Sequence, residues 1–305
     1  MKAGTNLEKV LESGRFAVTA EAGPPKGANP KVITKKADNL KVCCDAVNVT
    51  DNQTAIVRMC SLAGCVLLKQ QGVDPVMQMV TRDRNRIALQ SDVLGAVALG
   101  IGNILCLSGD HQKFGNHPTA KGVFDLDSIQ LIATLKNMRD NRKFVSGDDV
   151  TSEVPIFIGA AENPFADPFE YRVMRLAKKV KAGVDFIQTQ GVYDVPKFTK
   201  WMKMVTDRGL DKQVHILAGI IPLRSAGMAR TMRDGVAGIS IPDWIITRME
   251  QAKNAKEESV NITLEIIQQL KAIHGVHGIH IMAVGWEDIV PELVSKAALM
   301  PRPAT

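Results

Sequence analysis

Short apolar runs alternate with longer amphipathic stretches along the chain. The runs are rich in Val, Ile, Leu and Ala, a composition that is typical of parallel strands covered by helices. The longer stretches place apolar residues at helical spacing, so one face of each stretch is apolar. This alternation predicts eight strands, over residues 16–23, 45–51, 75–81, 103–109, 155–162, 186–191, 214–221 and 278–285.

Helices are predicted between these strands. Regular alternation of strands and helices favours a parallel sheet with crossover helices. Eight such units without a break in composition favour one (β/α)8 TIM barrel with extra terminal helices, and we expect a single domain over residues 1–305. An open doubly wound sheet is the alternative, but its GxGxxG fingerprint does not follow the first strand. The predicted helices span residues 31–40, 54–71, 85–99, 127–140, 168–182, 195–208, 225–233, 244–273 and 288–299.

The chain is moderately basic, with a formal net charge of +6. It has no arginine-rich tract and no interleaving of aromatic and basic residues, so we expect no nucleic-acid partner. An anionic small ligand accounts for the charge equally well. The five cysteines form no CxxC pair, which argues against a disulfide framework and favours a reducing cytoplasm. The longest apolar run, residues 93–107, is too short and too interrupted by glycine to span a bilayer, so no membrane insertion is expected.

Polar residues stand where several predicted strands end, which is where the active sites of such barrels lie. Glu21 lies in the segment Ala-Glu-Ala-Gly, where a partly desolvated carboxylate suits a general acid near neutral pH; an ion pair at the barrel mouth is the alternative. Asp110 opens the longest polar loop, and a turn-capping role is its alternative. Gln190 is a candidate ligand-facing amide, although strand-end amides are often merely solvated.

Three histidines, His274, His277 and His280, are spaced by three residues near the last predicted strand. A metal site would require their side chains to converge. Because they cross from a helix end into a strand, we expect them to point in different directions, and no metal site is predicted.

Several segments resemble one known family. The segment FAVTAEAGPP, residues 16–25, has an acidic residue shortly before two prolines and resembles the first-strand signature of methylenetetrahydrofolate reductases. The match continues in order along nearly the whole chain, and the order and spacing of its parts carry more weight than any single segment. Further matching segments are VTD (49–51), QMVTRDRNRI (78–87), LSGD (107–110), GVFDLDSIQL (122–131), KVKAGVDFIQTQ (179–190) and AGIIP (218–222).

The resemblance implies a flavoprotein of one-carbon metabolism that reduces 5,10-methylenetetrahydrofolate to 5-methyltetrahydrofolate, with the hydride coming from N5 of the reduced flavin. It implies that Glu21 is the general acid that protonates the departing N10 of the folate. Asp110 would contact the pterin and stabilise the cationic intermediate by its charge. Gln190 would contact the folate. The flavin-binding residues that the resemblance implies are Thr50, Gln78, Asp110 and Lys179, the last with a solvated helix lysine as its alternative.

Three positions depart from the family pattern. Ala226 falls where relatives carry a Phe that stacks on the nicotinamide cofactor or the folate. This difference suggests that electrons arrive through a partner subunit, and an oligomer is expected. Ala161 and Arg172 fall where relatives carry a Tyr and an Asp near the adenosine end of FAD, so both FAD and FMN remain open as the cofactor.

Two other functions are compatible with the same barrel. One is a pterin-binding methyltransferase that transfers a methyl group without flavin. The other is a non-catalytic scaffold subunit of a redox complex. The fold alone does not decide between them, because barrels of this kind host many chemistries.

Overall fold

The predicted barrel is confirmed. A computed structural model describes residues 1–236 and 238–302 of the chain. Eight parallel strands follow one another around a closed barrel, and the last strand pairs with the first. The strands are β1 (Ala17–Ala22), β2 (Ala46–Val49), β3 (Pro75–Val80), β4 (Asn103–Leu107), β5 (Phe157–Glu162), β6 (Phe186–Gly191), β7 (His215–Ile220) and β8 (Gly278–Ile281).

The helices pack around the outside of the barrel, except for α1. Among the described residues, no helix is both long enough and apolar enough to cross a membrane. The helices are α1 (Asn6–Glu12), α2 (Lys31–Leu40), α3 (Ser61–Gln70), α4 (Arg86–Ala98), α5 (Ser128–Asp140), α6 (Tyr171–Ala182), α7 (Val195–Thr206), α8 (Ala226–Gly235), α9 (Asp243–Gln251), α10 (Ala255–Lys271) and α11 (Val290–Lys296).

Two predicted helical regions differ from the structure. The region 244–273 is not one helix, because Ala252 has extended backbone angles and Asn254 caps a new helix by accepting hydrogen bonds from Lys256 and Glu257. The helix predicted from residue 54 begins only at Ser61. The residues before it form a short 3-10 turn, Gln53–Ala55. Thr54 and Ala55 have positive φ angles there, so these residues cannot belong to the α-helix that the sequence predicts.

The interior of the barrel has an apolar layer at the amino ends of the strands. Phe157 and Phe186 stack there with ring centroids 5.2 Å apart. Gly159 provides the room for this stack, because a Cβ at that position would lie 2.2 Å from the ring of Phe186. Helix α1 seals this end by adding Leu7, Val10 and Leu11 to the layer. The strand residues of the layer are Ala17, Ala46, Val76, Leu105, Phe157, Phe186 and Leu217.

A polar layer lies directly above the apolar one. Side chains two positions apart on a strand face the same side, and four of the five polar residues follow a residue of the apolar layer by two positions; His280 follows Gly278 in the same way. The polar residues are all buried, and each has a hydrogen-bond partner. They are Thr19, Asn48, Gln78, Gln188 and His280. The polar layer therefore faces the carboxyl ends of the strands, above an apolar lower half that α1 closes.

His277 lies at the amino end of the barrel and makes stability depend on pH. Its Nδ1 accepts a hydrogen bond of 3.1 Å from the backbone N–H of Ile216, and its ring meets that of His215 edge-on. Burial, followed by the nearby His215, lowers the pKa of His277 from 6.5 to about 4. The unfolded chain therefore takes up a proton at higher pH than the folded chain does. This contribution to stability is complete above pH 6.5 and is lost as the pH falls towards 4.

We expect the His277→Asn variant to lose less stability than the wild type between pH 7 and pH 5. The amide oxygen of Asn can accept the hydrogen bond from Ile216 but does not titrate in this range. Urea unfolding of both proteins at the two pH values gives the comparison. Equal losses of free energy in the two proteins would show that other groups cause the pH dependence.

Candidate active site at the carboxyl ends of the strands

Glu21 lies near the carboxyl end of β1, on the wall of a cavity of about 210 Å³. Its side chain is 19% exposed. Gln78 on β3 donates a hydrogen bond from Nε2 to Oε1 of Glu21 at 2.9 Å, and Nε2 of His280 on β8 lies 3.6 Å from the same oxygen. Among the described residues, no hydrogen bond to Oε2 of Glu21 is found. One carboxylate oxygen is therefore held, and the other is left for a ligand.

The same cavity has a mixed charge. Lys36 donates hydrogen bonds to the backbone carbonyl of Gly23 at 2.9 Å and to Oε1 of Glu287 at 2.5 Å. Arg58 donates from Nη1 to the carbonyl of Pro24 at 3.1 Å, which fastens the loop after β2 to the segment after β1. Two cationic side chains thus lie beside Glu21, and one of them is paired with a carboxylate.

Thr50 and Gln78 occupy neighbouring strand ends beside Glu21. Thr50 follows β2 and is buried; its hydroxyl donates to Oε1 of Gln53 at 2.7 Å. Gln53 in turn lines the cavity next to Glu21. The structure therefore brings Gln78 into direct contact with Glu21. Thr50 contacts Gln53, which lines the cavity together with Glu21.

Asp110 is exposed where the chain leaves β4 for the long loop. Its backbone carbonyl accepts a hydrogen bond of 3.0 Å from Nη1 of the buried Arg82. In the part of the chain that the structure describes, its carboxylate contacts neither Glu21 nor Gln78. Asp110 thus lies at the rim of the barrel mouth, apart from the hydrogen-bonded pair of Glu21 and Gln78.

The loops after β2 and β4 pack against each other over the barrel mouth. A Cβ at Gly115 would lie 1.8 Å from the carbonyl oxygen of Ala55, so only glycine permits this approach. Asn116 accepts a hydrogen bond of 3.2 Å from the backbone of Val57. The loop then returns across the end of β3, where the backbone of Val123 donates to the carbonyl of Arg82 at 2.7 Å.

Lys179 on α6 is buried. Its Nζ pairs with Oε2 of Glu162 at 2.7 Å and also donates to the carbonyl of Ala161. Burial lowers the pKa of Lys179, and the neighbouring Glu162 opposes this shift. The burial of its side chain excludes the alternative of a solvated helix lysine. A flavin phosphate would have to share this ammonium group with Glu162.

Gln190 lies at the end of β6, at an irregularity in its pairing with β7. The register shifts between Gln188 and Gly191. Thr189 bridges the irregularity, since its hydroxyl donates to the carbonyl of Gln190 and accepts from the backbone of Gly219, both at 2.9 Å. Such irregularities re-aim side chains at barrel rims. Gln190 is half-buried there, on a different strand from Glu21 and Gln78.

Three buried side-chain atoms near the mouth have no hydrogen-bond partner in the described structure, namely Arg58 Nε, Thr81 Oγ1 and Gln112 Oε1. Gln112 lines a second cavity of about 210 Å³, together with Asn52 and Arg82. Buried polar groups without partners are costly unless a ligand or water satisfies them. This edge of the barrel is therefore suited to a ligand with several hydrogen-bonding groups, such as a flavin. Each of the two cavities is smaller than the ~300–1,000 Å³ of a typical cofactor site.

In the sequence, His280 stands out only as one of three histidines spaced by three residues. In the structure these histidines face three different surroundings: His274 is 84% exposed, His277 packs on His215, and His280 lies inside the barrel beside Glu21. Among the described residues, no group of three or more His, Cys, Asp or Glu side chains is placed to hold a metal ion.

Of the polar layer below Glu21, the sequence drew attention to Gln78 and His280 but not to Thr19, Asn48 and Gln188. Asn48 and Gln188 pair across the interior through two hydrogen bonds of 2.6 and 3.1 Å, and Gln188 also donates to Thr19 at 3.2 Å. The sequence signal that could have indicated this layer is the presence of polar residues at inward-facing positions of strands that are otherwise apolar. Their meeting depends on barrel closure, which brings Thr19 opposite His280.

The chain is a (β/α)8 barrel, and an acidic residue of its first strand, Glu21, lines a cavity at the carboxyl ends of the strands. A family model described as methylenetetrahydrofolate reductase matches residues 6–298. The chain belongs to the methylenetetrahydrofolate reductase family.

Individual relatives are more distant. Methylenetetrahydrofolate reductase 2 of Schizosaccharomyces pombe is 28% identical over 216 residues, which cover 66% of this chain and 32% of the relative. The 5,10-methylenetetrahydrofolate reductase of Salmonella typhimurium is 22% identical over 216 residues, which cover 70% of this chain and 66% of the relative. The match thus spans about a third of the length of the fission-yeast relative.

A solved structure shares the fold. It is an uncharacterized protein from Clostridium thermocellum described as binding two copies of 5-methyl-5,6,7,8-tetrahydrofolic acid. The TM-score is 0.68 with 14% sequence identity, over 96% of this chain and 100% of that chain. At this identity the similarity establishes the barrel fold alone.

Proposed function

We propose that this chain reduces 5,10-methylenetetrahydrofolate to 5-methyltetrahydrofolate as a flavin-dependent enzyme, with Glu21 as the general acid. The observation that carries the proposal is the position of Glu21, with one carboxylate oxygen held by Gln78 and a cavity beside it, in a chain of this family. The description of the Clostridium thermocellum protein as a folate binder supports the same substrate class.

The proposed task of Glu21 is to deliver a proton to the folate. Opening the five-membered ring of the substrate requires a proton on the departing N10. Glu21 borders the cavity and is only partly exposed, so a folate bound in the cavity would meet its carboxyl group away from bulk water. Asp110 at the rim supplies a negative charge that stabilises the cationic ring-opened folate. Gln190 offers its amide to the folate from β6.

A bound flavin supplies the hydride. The residues that we propose to hold it are Thr50, Gln78, Asp110 and Lys179. The unpartnered Thr81 Oγ1 and Gln112 Oε1 lie in the same region and supply further hydrogen-bonding groups for such a ligand. Both FAD and FMN are consistent with this arrangement, because the buried Lys179 offers one cation for a phosphate whichever of the two is bound.

We further propose that electrons reach the flavin through a partner subunit. Ala226 begins α8 and packs against the core as a small side chain, so it provides no aromatic surface on which a nicotinamide ring can stack. In this arrangement the chain is a single flavin- and folate-binding domain of an oligomeric cytoplasmic enzyme. Rapid oxidation of NADH by the purified chain alone, with a flavin acceptor, would disprove the need for a partner.

Reconstitution with flavin tests the cofactor. We expect the purified chain to bind FAD or FMN and to show the visible absorbance of a flavoprotein, and release of the flavin by heat identifies which of the two is native. A chain that stays colourless after incubation with both flavins would contradict the reductase proposal. That outcome would favour a flavin-free methyltransferase or a scaffold subunit.

A further inference from the structure

We propose that a single water molecule binds inside the protein, between helix α10 and the segments that follow β6 and β7. Its site is a buried cavity that Tyr193, Ser259 and Thr263 line with their hydroxyl groups. The inference is independent of the proposed function, because it concerns how the wall of the barrel is held together. The water ties α10 to the end of β6, which carries Gln190.

The size and lining of the cavity select a small, uncharged occupant. The centre of a water-sized sphere has about 10 Å³ in which to move there. The residues that line the cavity are at most 6% exposed, and none of them carries a charge. A buried ion would have no counter-charge in this wall, and its burial would be costly. A cavity of this size holds about one water molecule when about two to four polar groups surround it.

Ser259 is the group in the cavity that lacks a partner. It is 2% exposed, and its Oγ makes no hydrogen bond within the part of the chain that the structure describes. A hydroxyl group inside a helix often donates to the carbonyl oxygen four residues earlier. Thr263 does so, to the carbonyl of Ser259 at 2.7 Å, whereas Ser259 has no such bond. Since an unpaired buried hydroxyl destabilises the folded state, Ser259 offers a donor to the cavity.

The other two hydroxyl groups offer acceptors. Tyr193 donates its proton to the carbonyl of Ile221 at 2.9 Å, and Thr263 donates its own to the carbonyl of Ser259. Each hydroxyl has one proton, so the oxygens of Tyr193 and Thr263 present only lone pairs to the cavity. The occupant must therefore donate twice and accept once from Ser259. A water molecule, with two O–H groups and two lone pairs, meets this requirement.

The position of this water gives it a structural task. Tyr193 follows β6 by two residues, and Ile221 follows β7 directly. The pairing of these two strands is irregular near this end, because the register shifts between Gln188 and Gly191. A water that joins α10 to Tyr193 supports the two strand ends where their own pairing is weakest.

The sign of the stability change in Ser259→Ala tests the site. If the cavity holds water, the substitution removes a hydrogen bond; if the cavity is dry, it removes an unpaired hydroxyl and stabilises the protein. Ser295→Ala, at an exposed position of α11, is the matched control, because it reports the helix propensity of alanine alone. In urea unfolding we expect the folding equilibrium constant of Ser259→Ala to be about 3- to 10-fold below that of the control. A constant equal to or above that of the control would overturn the proposal.

A crystal structure of the full chain, at a resolution that shows ordered water, identifies the occupant directly. We expect one density peak at hydrogen-bond distance from Oγ of Ser259 and Oη of Tyr193, and the same peak in crystals held under xenon gas. Dry apolar cavities take up xenon, whereas a hydrogen-bonded water is costly to remove. A xenon atom in the cavity, or no density there, would overturn the proposal.

Discussion

Replacement of Glu21 by Gln is expected to lower turnover by about 10²- to 10⁴-fold while flavin stays bound. The substitution keeps the size of the side chain and an oxygen that can accept from Gln78, so the local packing is retained. It removes the proton that the proposed reaction delivers to N10 of the folate. Steady-state turnover with 5,10-methylenetetrahydrofolate gives the loss, and the visible spectrum of the variant reports the bound flavin.

Glu287 provides the control for this variant. It lines the same cavity as Glu21, but its carboxylate pairs with Lys36 at 2.5 Å. We expect Glu287→Gln to retain far more activity than Glu21→Gln. If Glu21→Gln retained nearly full turnover, Glu21 would not be the acid, and the scaffold interpretation would gain support.

Replacement of Asp185 by Ala is expected to cost about 3–5 kcal/mol of unfolding free energy. Asp185 is 4% exposed, and its Oδ2 accepts hydrogen bonds of 2.7 Å from the backbone of Ile158 and from Nη1 of Arg139. Its Oδ1 lies 2.5 Å from Nζ of Lys2. Removal of the carboxylate leaves a buried backbone donor and a largely buried guanidinium without this partner. Urea unfolding at neutral pH gives the free energy.

Asp140→Ala provides the matched comparison. Asp140 contacts the same Arg139, but its side chain is 36% exposed. Pairs of this exposed kind contribute about 0–1 kcal/mol, so the expected loss is much smaller. Similar losses in the two variants would show that the burial of Asp185 does not determine its contribution.

Much of the fold was predictable because strands and helices leave regular apolar patterns. The strand Phe186–Gly191 and the helix Lys31–Leu40 have the bounds that the sequence predicts. The break between α9 and α10 was missed, since the apolar pattern runs through it and only the cap at Asn254 marks it. The turn before α3 was missed because residues such as Thr54 rarely adopt positive φ without tertiary support.

The site was only partly predictable. Parallel strands end on one edge of a barrel, and this rule is sufficient to place Glu21 and Gln78 close together. The ion pair of Lys179 with Glu162 depends on how α6 packs against β5, and no local sequence pattern reports that packing. The contact between Thr19 and His280 depends on closure of the barrel between its first and last strands. Residues far apart in the sequence meet there, so neither strand alone indicates the network.

The most direct test of the account is the reaction of the flavin-loaded chain with 5-methyltetrahydrofolate in the absence of oxygen. The reaction then runs in reverse, and no electron-delivering partner is needed for a single turnover. We expect the visible flavin absorbance to bleach and 5,10-methylenetetrahydrofolate to form in equal amount. Flavin absorbance that stays unchanged at saturating 5-methyltetrahydrofolate would contradict the proposal that this barrel transfers a hydride between folate and flavin.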